Sequence, residues 1–133
     1  PMPSPESLPS DPSLPGRVVI VTGGNRGLGR EIALALLACG AHVAVTSHAG
    51  GETLAAMERE GQALGNMKQN GGKLLALQGD VADWSDCQRV VAETQARFGP
   101  VHVLINNVGR GMRLISETFN TVPTKFWQAD VAA

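Results

Sequence analysis

The residues best placed to do chemistry are glycines. The segment Thr22-Gly23-Gly24-Asn25-Arg26-Gly27-Leu28-Gly29 stands between a β-branched run, Val18-Val19-Ile20-Val21, and a stretch with apolar residues at helical spacing. Glycine admits backbone angles that a side chain blocks, and lets the main chain approach a ligand closely. A helix opening behind such a turn aims unpaired N–H groups and about half a positive charge forward, which suits a pyrophosphate. No Gly-Lys-Ser or Gly-Lys-Thr follows, so the turn is not a Walker-type loop, and ATP or GTP hydrolysis loses its main support. The order Gly23, Gly27, Gly29 reads G-x-x-x-G-x-G rather than G-x-G-x-x-G. By itself it leaves open a tight strand-to-helix turn that binds nothing.

Other polar clusters also follow apolar runs: Ser47-His48 after His42 to Thr46, Asp80-Val81 after Leu74 to Leu77, and Asn106-Asn107-Val108-Gly109 after Val101 to Ile105. Cys39 and Cys87 lack the CxxC spacing and the histidine cluster of a zinc or thioredoxin-type site, and read as buried reduced thiols of a cytoplasmic protein. His42 and His102 fall within strands and read as packing residues, whereas His48 is either a ligand contact or an ordinary loop histidine.

The elements that must position these residues alternate. A strand at Val18 to Val21 leads to a helix with Leu28, Ile32, Ala35 and Cys39 on one face, ended by Gly40. A second strand, His42 to Thr46, precedes a loop from Ser47 to Gly51 and a helix with Leu54, Met57 and Leu64, closed by Gly65 to Gly72. A third strand, Leu74 to Leu77, is followed by a helix capped by Asp83, faced by Cys87, Val91, Thr94 and Phe98, and stopped by Gly99-Pro100. Val101 to Ile105 is a fourth buried strand; beyond it Arg110 to Thr124 reads as loop and Lys125 to Ala133 as the start of a helix.

This order predicts an α/β fold, a Rossmann-like doubly wound parallel sheet of which only the N-terminal part is present. Right-handed crossovers put the first two helices on one face and the third on the other, giving strand order 3-2-1-4 with a crevice between strands one and four. Cys39 and Cys87 then lie on opposite faces, too far apart for a disulfide.

Of the 133 residues, 43% are hydrophobic and 17% charged, with net charge −1. That balance excludes collagen-like, polybasic and acidic-tail classes and gives no footprint for nucleic acid or anionic lipid. No apolar run reaches the ~18–20 residues of a membrane span. Pro1 to Gly16 holds six of the eight prolines and reads as a disordered arm, with residues 17–133 forming an incomplete nucleotide-binding domain. The start at Pro1-Met2 and the unfinished element at Ala132-Ala133 suggest a fragment.

The Thr22 to Gly29 turn, Asp80-Val81 and Asn106-Asn107-Val108-Gly109 occur in the order and spacing of the short-chain dehydrogenase/reductase family. From Arg17 to about Gly111 the chain resembles that family. The resemblance implies that the turn, with Gly23, Gly27 and Gly29 as its cradle, binds the pyrophosphate of a nicotinamide dinucleotide. It implies that Asp80 accepts from the adenine amino group and Val81 packs on the ring. Asn107, Val108 and Gly109 match a strand-end motif beside the cofactor; Val108 replaces an alanine and tightens the site. Asn106 is as much a sheet-stabilising residue as a binding one.

The end of the second strand, where an acidic residue would bind the ribose of NAD, carries Ser47 and His48. With Arg26 in the turn, this favours NADP, with NAD as the alternative. The family's reaction is hydride transfer between nicotinamide and a small carbonyl or alcohol, using a serine and a tyrosine-lysine pair. The 133 residues contain no tyrosine, and Ser116 and Lys125 lack the required spacing. The expectation is therefore the cofactor-binding half of a reductase, inactive alone and homo-oligomeric when intact. A non-catalytic dinucleotide sensor and a half-domain that completes itself by oligomerising are the alternatives. Cut after strand four, the sheet should expose an apolar edge at Val101 to Ile105 and be marginally stable.

Overall fold

A computed structural model describes residues 13–67 and 71–109. The element order is β1 (Val18–Thr22), α1 (Gly27–Ala38), β2 (His42–Ser47), α2 (Glu52–Met67), β3 (Leu74–Gln78), α3 (Trp84–Phe98) and β4 (Val103–Ile105). The strands form one parallel sheet in the order β3-β2-β1-β4, as the crossover argument requires. Val19 lies opposite Val43 on one side and Val103 on the other.

Side-chain alternation divides the core. Val19, Val21, Val43 and Val45 face Ala33 and Leu37 of α1 and Met57 and Leu64 of α2. Ile20 and Ala44 face the opposite way, onto Val90 of α3. β1 is buried along its whole length because it has strands on both sides and helices on both faces. Cys39, which caps α1, and Cys87 of α3 are both free thiols on elements packed against opposite faces, but each is half-buried rather than buried, because neither sits on the inward stripe of its helix.

The helix ends follow local chemistry. Gly40, at φ +88°, closes α1 in a Schellman arrangement: its N–H donates to Leu37 O and that of Ala41 to Leu36 O. Asp83 caps α3 by accepting from the amides of Ser85 and Asp86, and Gly99, at φ +91°, ends it.

Several expectations are corrected. The buried stripe of α1 is Gly29, Ala33, Leu37 and Ala38, not Leu28, Ile32, Ala35 and Cys39; Leu28 is 71% exposed. In α3, Val90 and Thr94 are buried, whereas Val91 is exposed. Helix α2 runs through Gly65 to Met67. The fourth strand begins at Val103 rather than Val101; Val103 and Leu104 are exposed, as expected of the apolar edge of a sheet that ends at β4 among the described residues, and not buried as the apolar run alone suggests.

His102 precedes β4 and extends the ladder instead of packing: its amide donates to Val18 O, and its Nδ1 accepts the Val18 amide at 2.9 Å. His42 opens β2, accepts from the Lys73 amide and stacks on Phe98 at 5.1 Å. From the expected arm, Gly16 donates to Gly40 O and Arg17 to Leu14 O. Residues 1–12 of that arm, and the loop and helix expected from Arg110 to Ala133, lie outside the described residues.

Candidate functional site

Parallel strands deliver their C-terminal ends to one rim. The turns after β1, β2 and β3 and the segment after β4 therefore meet there, although Thr22 and Asn107 are 85 positions apart. The order reverses between β1 and β4, which opens a crevice at that rim.

The turn after β1 uses glycine conformation twice. Gly23 has φ +64° and Gly27 φ +58°, both in the left-handed region. Gly29 is required for a different reason: a Cβ there would collide with Gly23 O and Asn107 Nδ2, so the first turn of α1 sits directly beneath the β1 turn. At Gly27 a Cβ would meet nothing within 4 Å, so the chain leaves open space in front of the helix.

Helix α1 does not satisfy its own N-terminus. Its N-cap residue, Arg26, makes no side-chain capping bond, and no acidic residue stands in the first turn. By contrast, α3 has the Asp83 cap and Asp86 in its first turn. The leading amides and positive dipole end of α1 are thus directed outward without an anion from the described residues. These features fit a pyrophosphate. Arg26 is exposed and forms no ion pair among the described residues, unlike Arg30, which pairs with Glu31 and Glu60. Asn25 Nδ2 donates to Thr53 Oγ1 at 3.1 Å, tying the turn to α2. Thr53 was not anticipated; no local pattern signals a contact made by loop closure.

On the β4 side, Asn107 provides the link. Its amide N–H donates to Thr22 Oγ1 at 3.0 Å and its Nδ2 to Gly23 O at 3.2 Å. Thr22 Oγ1 in turn donates to Ile105 O. The role of bracing strand end to turn therefore falls to Asn107, while Asn106 is exposed on the cleft wall. Val108 crowds the turn: a Cβ on Gly23 would stand 3.3 Å from its Cγ2. A Cβ on Gly109 would meet nothing within 4 Å among the described residues.

Ser47 is buried at the end of β2 and its carbonyl accepts from Gly79 N, while His48 is exposed beside it. Asp80 Oδ1 accepts from Ala82 N at 2.9 Å, which shapes the turn; Oδ2 accepts no hydrogen bond from the described residues. Asp86 holds this turn from below by accepting from Asp80 N at 2.8 Å, and Val81 is exposed at the rim. Asp86 was missed, though its place three residues after the Asp83 cap marks it as a first-turn acceptor. Below the rim, a cleft of about 180 Å³ reaches between α3 and the sheet, lined by Thr46, Asp80, Val81, Cys87 and Leu104 among others. Among the described residues no three His, Cys, Asp or Glu side chains are grouped to hold a metal ion, and no helix is long and apolar enough to cross a membrane.

Comparison with known proteins places this architecture. The family sequence model described as short chain dehydrogenase matches residues 17–132. A short-chain type dehydrogenase/reductase of Picea abies is 35% identical over 100 residues, covering 72% of this chain and 35% of that protein. A 3-oxoacyl-[acyl-carrier-protein] reductase of Synechocystis is 34% identical over 97 residues, 73% of this chain and 37% of that one. The chain thus spans little more than a third of the length of these relatives. A short-chain dehydrogenase/reductase from Serratia marcescens superposes with TM-score 0.66 at 35% identity, over 73% of this chain and 37% of that one. NADH-dependent reductase A1-R′, solved with NAD, superposes with TM-score 0.64 at 30% identity, over 74% and 38%. Strand order, glycine turn and sequence agree: the chain belongs to the short-chain dehydrogenase/reductase family.

Proposed function

We propose that this chain supplies the nicotinamide dinucleotide site of an oxidoreductase that interconverts small carbonyl compounds and alcohols, with NADP preferred to NAD. The observation that carries this reading is the first turn of α1, which opens behind Gly23 and Gly27 with neither a capping side chain nor an acidic residue. The leading amides would hold the pyrophosphate. The open Asp80 Oδ2 would accept from the adenine amino group, with Val81 on the ring face. Asn25, Leu28, Asn107, Val108 and Gly109 border the remainder of the crevice. Ser47 and His48 would face the adenosine ribose with no carboxylate of their own, and the unpaired Arg26 would take a 2′-phosphate through charge and fork geometry.

The dinucleotide supplies hydride chemistry when bound. These residues bind and orient it; none is an acid/base at a reacting oxygen, and the 133 residues hold no tyrosine for that task. The chain alone is therefore a binder without turnover. Its two free thiols favour a reducing compartment such as the cytoplasm. Titration of the full chain with NADPH and with NADH, followed by calorimetry and nicotinamide fluorescence, tests the assignment. Binding of both with NADPH the tighter is expected; absence of heat and of fluorescence change with either overturns it.

A further inference from the structure

The cleft beneath the rim shares Asp80 and Val81 with the proposed adenine site and also contains two groups that dinucleotide binding does not use. Thr46, on β2, is 1% exposed, and its Oγ1 has no hydrogen-bond partner among the described residues. A buried hydroxyl without a partner is costly, and such groups call for a ligand or water. Thr46, on the sheet wall, lines the cleft together with Cys87, on the α3 wall, whose Sγ is half-buried and donates to Val81 O at 3.3 Å. The rest of the surface is mostly hydrocarbon, from Ile20, Val90, Val91 and Leu104, with Asp80, Asp86 and Asn106 also on the lining. A thiol, a lone hydroxyl donor and apolar walls thus share one space of about 180 Å³, room for a molecule of several heavy atoms.

We propose that this cleft is a covalent capture site for small, uncharged α,β-unsaturated carbonyl compounds, with Cys87 as the nucleophile and Thr46 as hydrogen-bond donor to the carbonyl oxygen. The apolar walls hold the carbon skeleton and raise its concentration beside the thiol. In the addition, a bond forms between Sγ and the β-carbon as the carbon–carbon π bond breaks. The thiol proton ends on the α-carbon, and no oxidant, reductant or leaving group is needed. The reaction requires no bound dinucleotide. Cys39 provides an internal reference, since it is also a half-buried free thiol but caps α1, away from the cleft.

The test is the rate at which N-ethylmaleimide labels each cysteine of the folded full chain, read by peptide mass spectrometry, with labelling in urea to normalise intrinsic reactivity. Cys87 should react at least about tenfold faster than Cys39 when folded. Thr46→Val should slow Cys87 about fivefold, as loss of one net hydrogen bond predicts, while Thr46→Ser keeps the rate. Iodoacetate, which is charged and has no conjugated carbonyl, should show little preference between the two cysteines. Equal folded rates for Cys39 and Cys87, an undiminished rate in Thr46→Val, or the same preference with iodoacetate would each overturn the proposal.

Discussion

The side-chain amide of Asn107, just past β4, donates to the carbonyl oxygen of Gly23 in the turn after β1, joining positions 84 apart in the chain. The same residue's backbone amide donates to Thr22 Oγ1, so turn and strand end are bonded twice. The crevice at the reversal of strand order therefore has its two walls cross-linked by one residue. Loss of the side-chain bond should loosen both fold and site. Asn107→Ala should lower unfolding free energy by about 1–2 kcal/mol, the scale of one partly buried hydrogen bond. Asn107→Asp should do worse, because it sets a carboxylate oxygen against a carbonyl. Urea titration of the three chains gives the ranking; equal midpoints would show that the bond contributes nothing.

Gly27 and Gly29 separate conformation from crowding. Gly29→Ala drives a methyl group into Gly23 O and Asn107 Nδ2, atoms held by backbone and by a bonded amide, and should cost about 2–3 kcal/mol of stability. Gly27→Ala meets open space and suffers only its left-handed φ, a cost of about 1–2 kcal/mol. Its methyl group would occupy ground in front of α1, so dinucleotide affinity should fall by more than stability does. Paired urea and NADPH titrations check both. Gly27→Ala with unchanged affinity would place the phosphates elsewhere.

What was legible in the chain was mainly local. The β-branched run of β1, the Gly40 and Gly99 stops and the Asp83 cap each depend on residues within a few positions, and strand order followed from handedness. The buried face of α1 was not legible, because Ile32 to Ala38 is apolar all round and periodicity cannot choose among its faces. Packing chose it, through the close approach that Gly29 permits one turn before Ala33. Val90 and Val91 pose the same ambiguity in α3. At the site, the residue types were legible but their bonds were not: which of Asn106 and Asn107 braces the turn depends on a strand end reached more than eighty residues later.

His42 makes stability depend on pH. Burial, with the positive charge of Lys73 in support, lowers its pKa below the ordinary histidine value. The unfolded chain therefore takes up a proton at a pH where the folded chain does not. Stability is fully present above about pH 6.5 and is lost as pH falls through the folded value. Protonation also competes with the Lys73 amide for Nδ1 if the proton settles there. Urea midpoints at about pH 7.5 and about pH 5.5 should fall for the native chain and fall less for His42→Gln. An equal fall in both chains would assign the effect to other groups.

Arg26 should determine the choice of dinucleotide. It is exposed at the mouth of the turn without an ion-pair partner among the described residues, so its charge is available to a ligand at little cost in folding. Replacing it with glutamine removes a charge-assisted contact to a 2′-phosphate and leaves the pyrophosphate amides untouched. NADPH affinity should drop about 10- to 100-fold, the equivalent of one hydrogen bond to a charged group, with NADH affinity unchanged. His48→Asp tests the other wall: an exposed carboxylate there would repel a 2′-phosphate and accept from ribose hydroxyls, raising NADH affinity relative to NADPH. Because Arg26 acts by charge and lies at the surface, the NADPH advantage should also shrink as salt is raised. If Arg26→Gln weakens both dinucleotides equally, its contact is with the shared pyrophosphate, and the preference must come from the end of β2.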